Sequence, residues 1–191
     1  MKFNLKLLPF NCLLVLILLS CDSGKSEETE GDFYNLKGFV TGQIELLTEL
    51  RPTVNKKMMV GDSVETRETV SIDWEKELEL FAQADLNRPA NRLIYETIQD
   101  STSITYTLKK DEDAPVRFLK ITLNANSENP VKVEAKLNTK NQLYESEKNL
   151  LLNAREVDGQ WRIQSYKVSG FQDLVISERK PFQIEAVISY R

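Results

Sequence analysis

The residues able to do chemistry are few in type. The 191-residue chain holds no histidine and only two cysteines, Cys12 and Cys21. A Ser-His-Asp triad, a Cys-His pair or a His-bearing zinc site therefore cannot be assembled within it. Its 29 acidic side chains allow many carboxylate pairs of the kind that hydrolyses sugars. No pair is singled out by its spacing, and no enzyme activity is expected. Asp111-Glu112-Asp113 packs three acids together. It lacks the spaced oxygen ligands, central glycine and closing glutamate of a calcium loop, so it reads as a solvated turn. Met58-Met59 offers soft sulfur to a metal, but adjacent strand residues point to opposite faces, and packing is the better reading. The seven glycines are scattered and form no G-x-x-x-x-G-K phosphate loop. No cofactor and no metal site are expected. A net charge of −4 and a pI of about 5.1 leave no electrostatic footprint for nucleic acid.

The N-terminal segment differs from the rest. Lys2 and Lys6 precede a seven-residue apolar block, Leu13 to Leu19, and Ser20-Cys21 follows. The block is too short for a hydrocarbon core that needs about 20 apolar residues, and it fits the apolar region of a secretory signal. Leu18-Leu19-Ser20-Cys21 resembles the lipobox of bacterial lipoproteins, in which an aliphatic, a permissive and a small residue precede the cysteine. The resemblance implies cleavage between Ser20 and Cys21, thioether attachment of diacylglycerol to Cys21, and acylation of the new amino terminus, as with palmitate. The membrane is then a partner through Cys21. Each buried methylene contributes about 0.8 kcal/mol, so one chain holds marginally and two or three anchor stably.

Loss of residues 1–20 removes two lysines and Cys12, leaving 23 basic and 29 acidic side chains and a single cysteine. With Cys21 acylated, neither a disulfide nor thiol catalysis remains, and the fold must hold by its core. Residues 22–32 contain no apolar side chain and read as a flexible acidic tether. Their acids around Ser26-Glu27-Glu28 resemble surface-export signals of some Bacteroidota lipoproteins. Asp22 resembles an inner-membrane retention signal of enteric bacteria. The two point to different membranes; the outer membrane is favoured, with the facing side open.

Residues 33–191 are expected to form a single α+β domain: two helices in the N-terminal half packed on one face of a curved antiparallel β-meander. Phe33, Leu36, Val40, Ile44, Leu47 and Leu50 recur at steps of three and four, with Asp32 as N-cap and Pro52 as stop. Gly38 and Gly42 weaken this helix by about 1 kcal/mol each, and their spacing offers another backbone a close approach. Val54–Val60 and Val64–Ile72, separated by Gly61-Asp62-Ser63, read as a hairpin with Val64, Val70 and Ile72 on one face. Asp73 opens a second helix, with Glu75 and Glu77 in its first turn and Trp74, Leu78, Phe81 and Asp85 at helical spacing; Pro89 ends it. From Leu93 onward the period is two, as in Ile104, Tyr106 and Leu108, or Val131, Val133, Ala135 and Leu137. Asp158-Gly159 signals a hairpin, and turns are expected at 124–129 and 138–141. Six to eight consecutive strands follow, with Lys and Glu on their polar face.

Two further resemblances bear on function. Asp158-Gly159-Gln160-Trp161-Arg162-Ile163 is similar to a hairpin of the cone-shaped α+β domains related to nuclear transport factor 2, which bind small ligands inside a curved sheet; those domains interleave helices and strands differently. The order of lipobox, tether, helix, hairpin, the Asp73–Leu78 helix and a terminal meander resembles a group of Bacteroidota envelope lipoproteins, most closely over Ile72–Pro89. That group carries no activity to transfer. Two functions fit the architecture: a binding or assembly module for an envelope protein partner, or a carrier-like half-barrel holding acyl chains or another small apolar ligand. They divide on whether Phe33, Leu36, Trp74 and Phe81 fill the apolar side of the sheet.

Overall fold

The computed structural model describes residues 33–174 and 177–190, excepting the side chains of 177 and 178. The cleavage site Ser20–Cys21, the lipidation site Cys21, the tether and Asp32 lie outside the described residues. The fold is α+β. Two helices, α1 (Leu36–Leu50) and α2 (Trp74–Gln83), accompany one open nine-stranded antiparallel sheet. The strands are β1 (Thr53–Val60), β2 (Ser63–Thr69), β3 (Tyr95–Gln99), β4 (Ser103–Leu108), β5 (Val116–Leu123), β6 (Pro130–Lys140), β7 (Tyr144–Val157), β8 (Gln160–Leu174) and β9 (Ser177–Ser189). Their order across the sheet is β2-β1-β9-β8-β7-β6-β5-β4-β3. Seven of them, β3 to β9, form an uninterrupted meander. The β1–β2 hairpin then adds to β9, which makes β2 and β3 the two edges.

α1 begins later than its periodicity predicts. Asn35, not Asp32, is the N-cap, and its side chain accepts from Gly38 N–H at 2.8 Å. Phe33 and Tyr34 leave the helix to join an aromatic cluster: Phe33 stands edge-on to Tyr95 and Tyr106 at 5.9 and 5.3 Å. Tyr34 N–H donates to the Tyr106 hydroxyl. The helix stops at Arg51, in the left-handed region at φ 45°, just ahead of Pro52. Gly38 and Gly42 receive no neighbouring backbone. A side chain at Gly42 would meet open space, and one at Gly38 would meet only the capping Asn35. The second helix starts as expected, with Asp73 accepting from Lys76 N–H and with Glu75 and Glu77 in its first turn. It ends at Gln83, so Asp85 lies beyond it, and Pro89 opens a short 3-10 turn instead of closing the helix.

The sheet's apolar face is covered by these helices. Leu36, Val40, Leu47, Trp74, Leu78 and Phe81 are buried in one cluster with Leu119, Ile121, Val133, Leu152, Ile163 and Tyr166. Strict alternation would fail without three one-residue irregularities. Arg117 on β5, Val131 on β6 and Gln164 on β8 are each skipped in the pairing. Each insertion flips the side-chain phase. Thus Val116 and Leu119 can both be buried, as can Ile163 and Tyr166, three residues apart.

Two further expectations are corrected. β6 runs through Asn138 to Lys140, which moves the predicted turn to residues 141–143. β2 stops at Thr69, short of the expected Ile72, and Val64 and Val70 are exposed, because β2 lies outside the helix cover at the edge of the sheet.

Candidate functional site

The chemistry-capable residues do not converge. Among the described residues, no group of three or more Asp, Glu, His or Cys could hold a metal ion. Asp113 pairs with Arg117 at 2.7 Å, and the Asp111–Asp113 run occupies the β4–β5 connection. Met58 and Met59, both half-buried, alternate on β1. No described helix is long and apolar enough to cross a membrane.

What the fold does build are three polar joints, two between helix and sheet and one between a loop and α1. Lys56 on β1 is bonded to both carboxylate oxygens of Glu77 on α2, at 2.6 and 2.7 Å. The Tyr166 hydroxyl donates to the same carboxylate at 2.8 Å. Desolvation, reinforced by the charge of Glu77, pushes the Tyr166 phenol well above its ordinary value. Lys56 and Glu77 are each only 17% exposed. Such a pair is costly to bury and stays because both ions and the hydroxyl satisfy one another.

The second joint is Gln43. Its amide nitrogen donates to Trp161 O and its amide oxygen accepts from Ile163 N–H, at 2.8 and 2.9 Å. Gln43 thus reads the backbone of β8 beside the Gln164 bulge as a neighbouring strand would. The Tyr190 hydroxyl donates to Ile163 O, and Trp161 Nε1 donates to Pro130 O at 2.8 Å. Gln43 is 6% exposed and was hidden from sequence reasoning. The apolar spacing passes over it to Ile44, whereas the buried stripe runs Leu36, Val40, Gln43, Leu47.

Asp85 makes the third joint. It accepts from Lys37 N–H in the first turn of α1 and from Asn87 N–H, while Asn87 accepts from Phe33 N–H. The loop after α2 thereby caps α1, with the carboxylate against the positive end of the helix.

The surface also carries depressions. A groove of about 550 Å³ runs beside the start of α1, lined by Tyr34, Phe39, Ile104, Leu123 and Glu128. A second, of about 470 Å³, lies on the helix-free face between Phe118, Lys136, Leu151 and Lys167. Its walls are tied by ion pairs, Lys136–Glu147 at 2.9 Å and Lys167–Glu185 at 2.8 Å. Lys167 holds the Glu185 carboxyl below its usual range, and Lys136 does the same for Glu147.

The residues on which the two functional expectations divide lie together under the helices. Leu36, Trp74 and Phe81 are buried against the sheet, and Phe33 packs at their margin. Phe81 meets Tyr166 edge-on at 6.3 Å. Among the described residues, the molecule is thus an α+β domain with an open antiparallel sheet, a helix-filled inner face and two unpaired strand edges. Comparisons of the chain with protein-family models, curated proteins and solved structures return no match.

Proposed function

We propose that this protein is a lipid-anchored lipoprotein of the bacterial cell envelope, held through Cys21 and working as a non-enzymatic binding or assembly module. The observation that supports the module reading is the occupation of the sheet's apolar face by α1 and α2. Space for an acyl chain between helices and sheet would have to come from Leu36, Val40, Leu78 and Phe81, all fully buried. Opening it would expose several side chains worth about 1.5–3 kcal/mol each. Contacts made by the outer face and the edges carry no such cost. The anchor reading rests on Leu18-Leu19-Ser20-Cys21 behind a short apolar block, and the outer membrane is the favoured site. An envelope protein, not nucleic acid, is the partner this surface fits.

Cys21→Ala tests the anchor. The substituted chain is expected to leave the membrane fraction and to lose incorporation of labelled palmitate. Retention in washed membranes would overturn lipid attachment through Cys21.

A further inference from the structure

The edge strand β2 is self-complementary, and we infer that two copies of this chain join there, β2 to β2, in a continuous sheet across a two-fold axis at Thr66. The inference deepens the assembly reading above and rests on it.

Its basis is the backbone. The β1–β2 loop is the two-residue turn Gly61-Asp62, with Gly61 at φ 56°, and Val60 pairs with Ser63. The residues that close such a turn exchange hydrogen bonds. The strand then alternates, so Ser63, Glu65, Arg67 and Thr69 turn their N–H and C=O groups toward β1. Val64, Thr66 and Glu68 turn theirs outward. These outward groups lie at the open edge of the sheet, since β2 is last in the strand order, and residues 63–68 are all exposed.

An antiparallel match of β2 with itself satisfies the outward groups in only a few registers. Centring the axis on Glu65 sets Glu65 against Glu65, and centring it on Arg67 sets Arg67 against Arg67. Centring it on Thr66 lets Val64 pair with Glu68 of the second copy, and Thr66 with Thr66. It also brings Glu65 opposite Arg67 twice, at the non-hydrogen-bonded positions where side chains approach most closely. Neither residue is in an ion pair among the described residues. Charges on an edge commonly repel a second strand; here one register turns them into two attractions. The other edge has no such match. β3 reads Tyr-Glu-Thr-Ile-Gln, with Glu96 as its only charge.

The axis stands normal to the sheet, which places both helix layers on one side of it. The exposure of Glu65 and Arg67 there leaves that side of β2 free of its own helices. A seven-residue edge is small beside the roughly 1,600 Å² of a standard interface. The dimer is accordingly weak and concentration-dependent.

The test uses the full chain in isolated membranes, with Thr66→Cys as a crosslinking probe and the chain without it as the background for Cys12 and Cys21. Mild oxidation is expected to give a Thr66→Cys-dependent dimer. Adding Glu65→Arg or Arg67→Glu singly should lower it by about ten-fold, since two attractions become two repulsions. The double swap, Glu65→Arg with Arg67→Glu, should restore it, and so should co-expression of the two single variants, whose charges complement each other. A dimer indifferent to charge reversal, or absent throughout, would overturn the pairing. Membrane retention of the same samples reports the anchor separately, so failure at β2 is distinguishable from failure of the envelope reading.

Discussion

The two faces of the sheet are made from the same strands but held by different physics. On the helix-covered face, alternate residues of β4 to β9 meet α1 and α2 in one apolar cluster, and buried polar side chains join the layers: Glu77 to Lys56 and Tyr166, Gln43 to the β8 backbone. On the bare face, the intervening residues carry lysines and glutamates in half-exposed pairs such as Lys167–Glu185 and Lys132–Glu134. The first arrangement gives the fold its stability, because buried area and unsatisfied groups are costly to disturb. The second is nearly free to change, because exposed pairs contribute about 0–1 kcal/mol. The buried core and the charged face are therefore separated by one strand thickness.

Alkali should break the covered face most completely. Burial raises the phenols of Tyr34, Tyr95 and Tyr190 to about 12 and those of Tyr106 and Tyr166 above their ordinary value. A folded-state pKa above the unfolded one means the folded chain holds more protons between the two values. Their contribution is fully present below about pH 10 and is lost as pH rises towards 12. Phenolate absorbance of these five is expected to stay absent near pH 10 while the chain is folded. Their titration near pH 10 in a chain that keeps its circular dichroism would contradict the packing.

Among substitutions, Phe81→Ala should cost about 3–5 kcal/mol in denaturant unfolding, the loss of a fully buried ring against Tyr166. A midpoint unchanged from the parent chain would mean that the helix does not seal the sheet. Gln43→Ala should cost about 1–3 kcal/mol, because Trp161 O and Ile163 N–H lose a partner the bulge cannot replace. Hydrogen exchange at Ile163 should rise with it; protection kept in the variant would show that another group serves that amide. Lys167→Ala on the bare face should cost less than about 1 kcal/mol. A loss as large as that of Gln43→Ala would erase the distinction between the faces.

The period-two strands, the Asp158-Gly159 hairpin and the Asp73 cap were legible because each is a local signal: alternation, a dipeptide able to take positive φ, an acceptor ahead of an amphipathic run. Asp158 and Gly159 do adopt φ of 53° and 73°. What was not legible is set by neighbours distant in sequence. A bulge at Gln164 is one residue without compositional mark. Asn35 and Asp32 are both cap-type residues, and only the aromatic cluster that captures Phe33 and Tyr34 decides between them. Val64 is exposed because β2 is an edge strand, a placement its own residues do not mark. Gln43 occupies a core position that a search for apolar residues passes over.

We propose that the domain works by its surfaces; its apolar face is already filled from within by α1 and α2. Native mass spectrometry of the chain extracted from membranes tests this directly. The expected mass is that of the polypeptide with its covalent anchor and nothing more. A further acyl lipid, bound non-covalently and released by organic solvent, would contradict it and place a ligand where Leu36, Trp74 and Phe81 are packed.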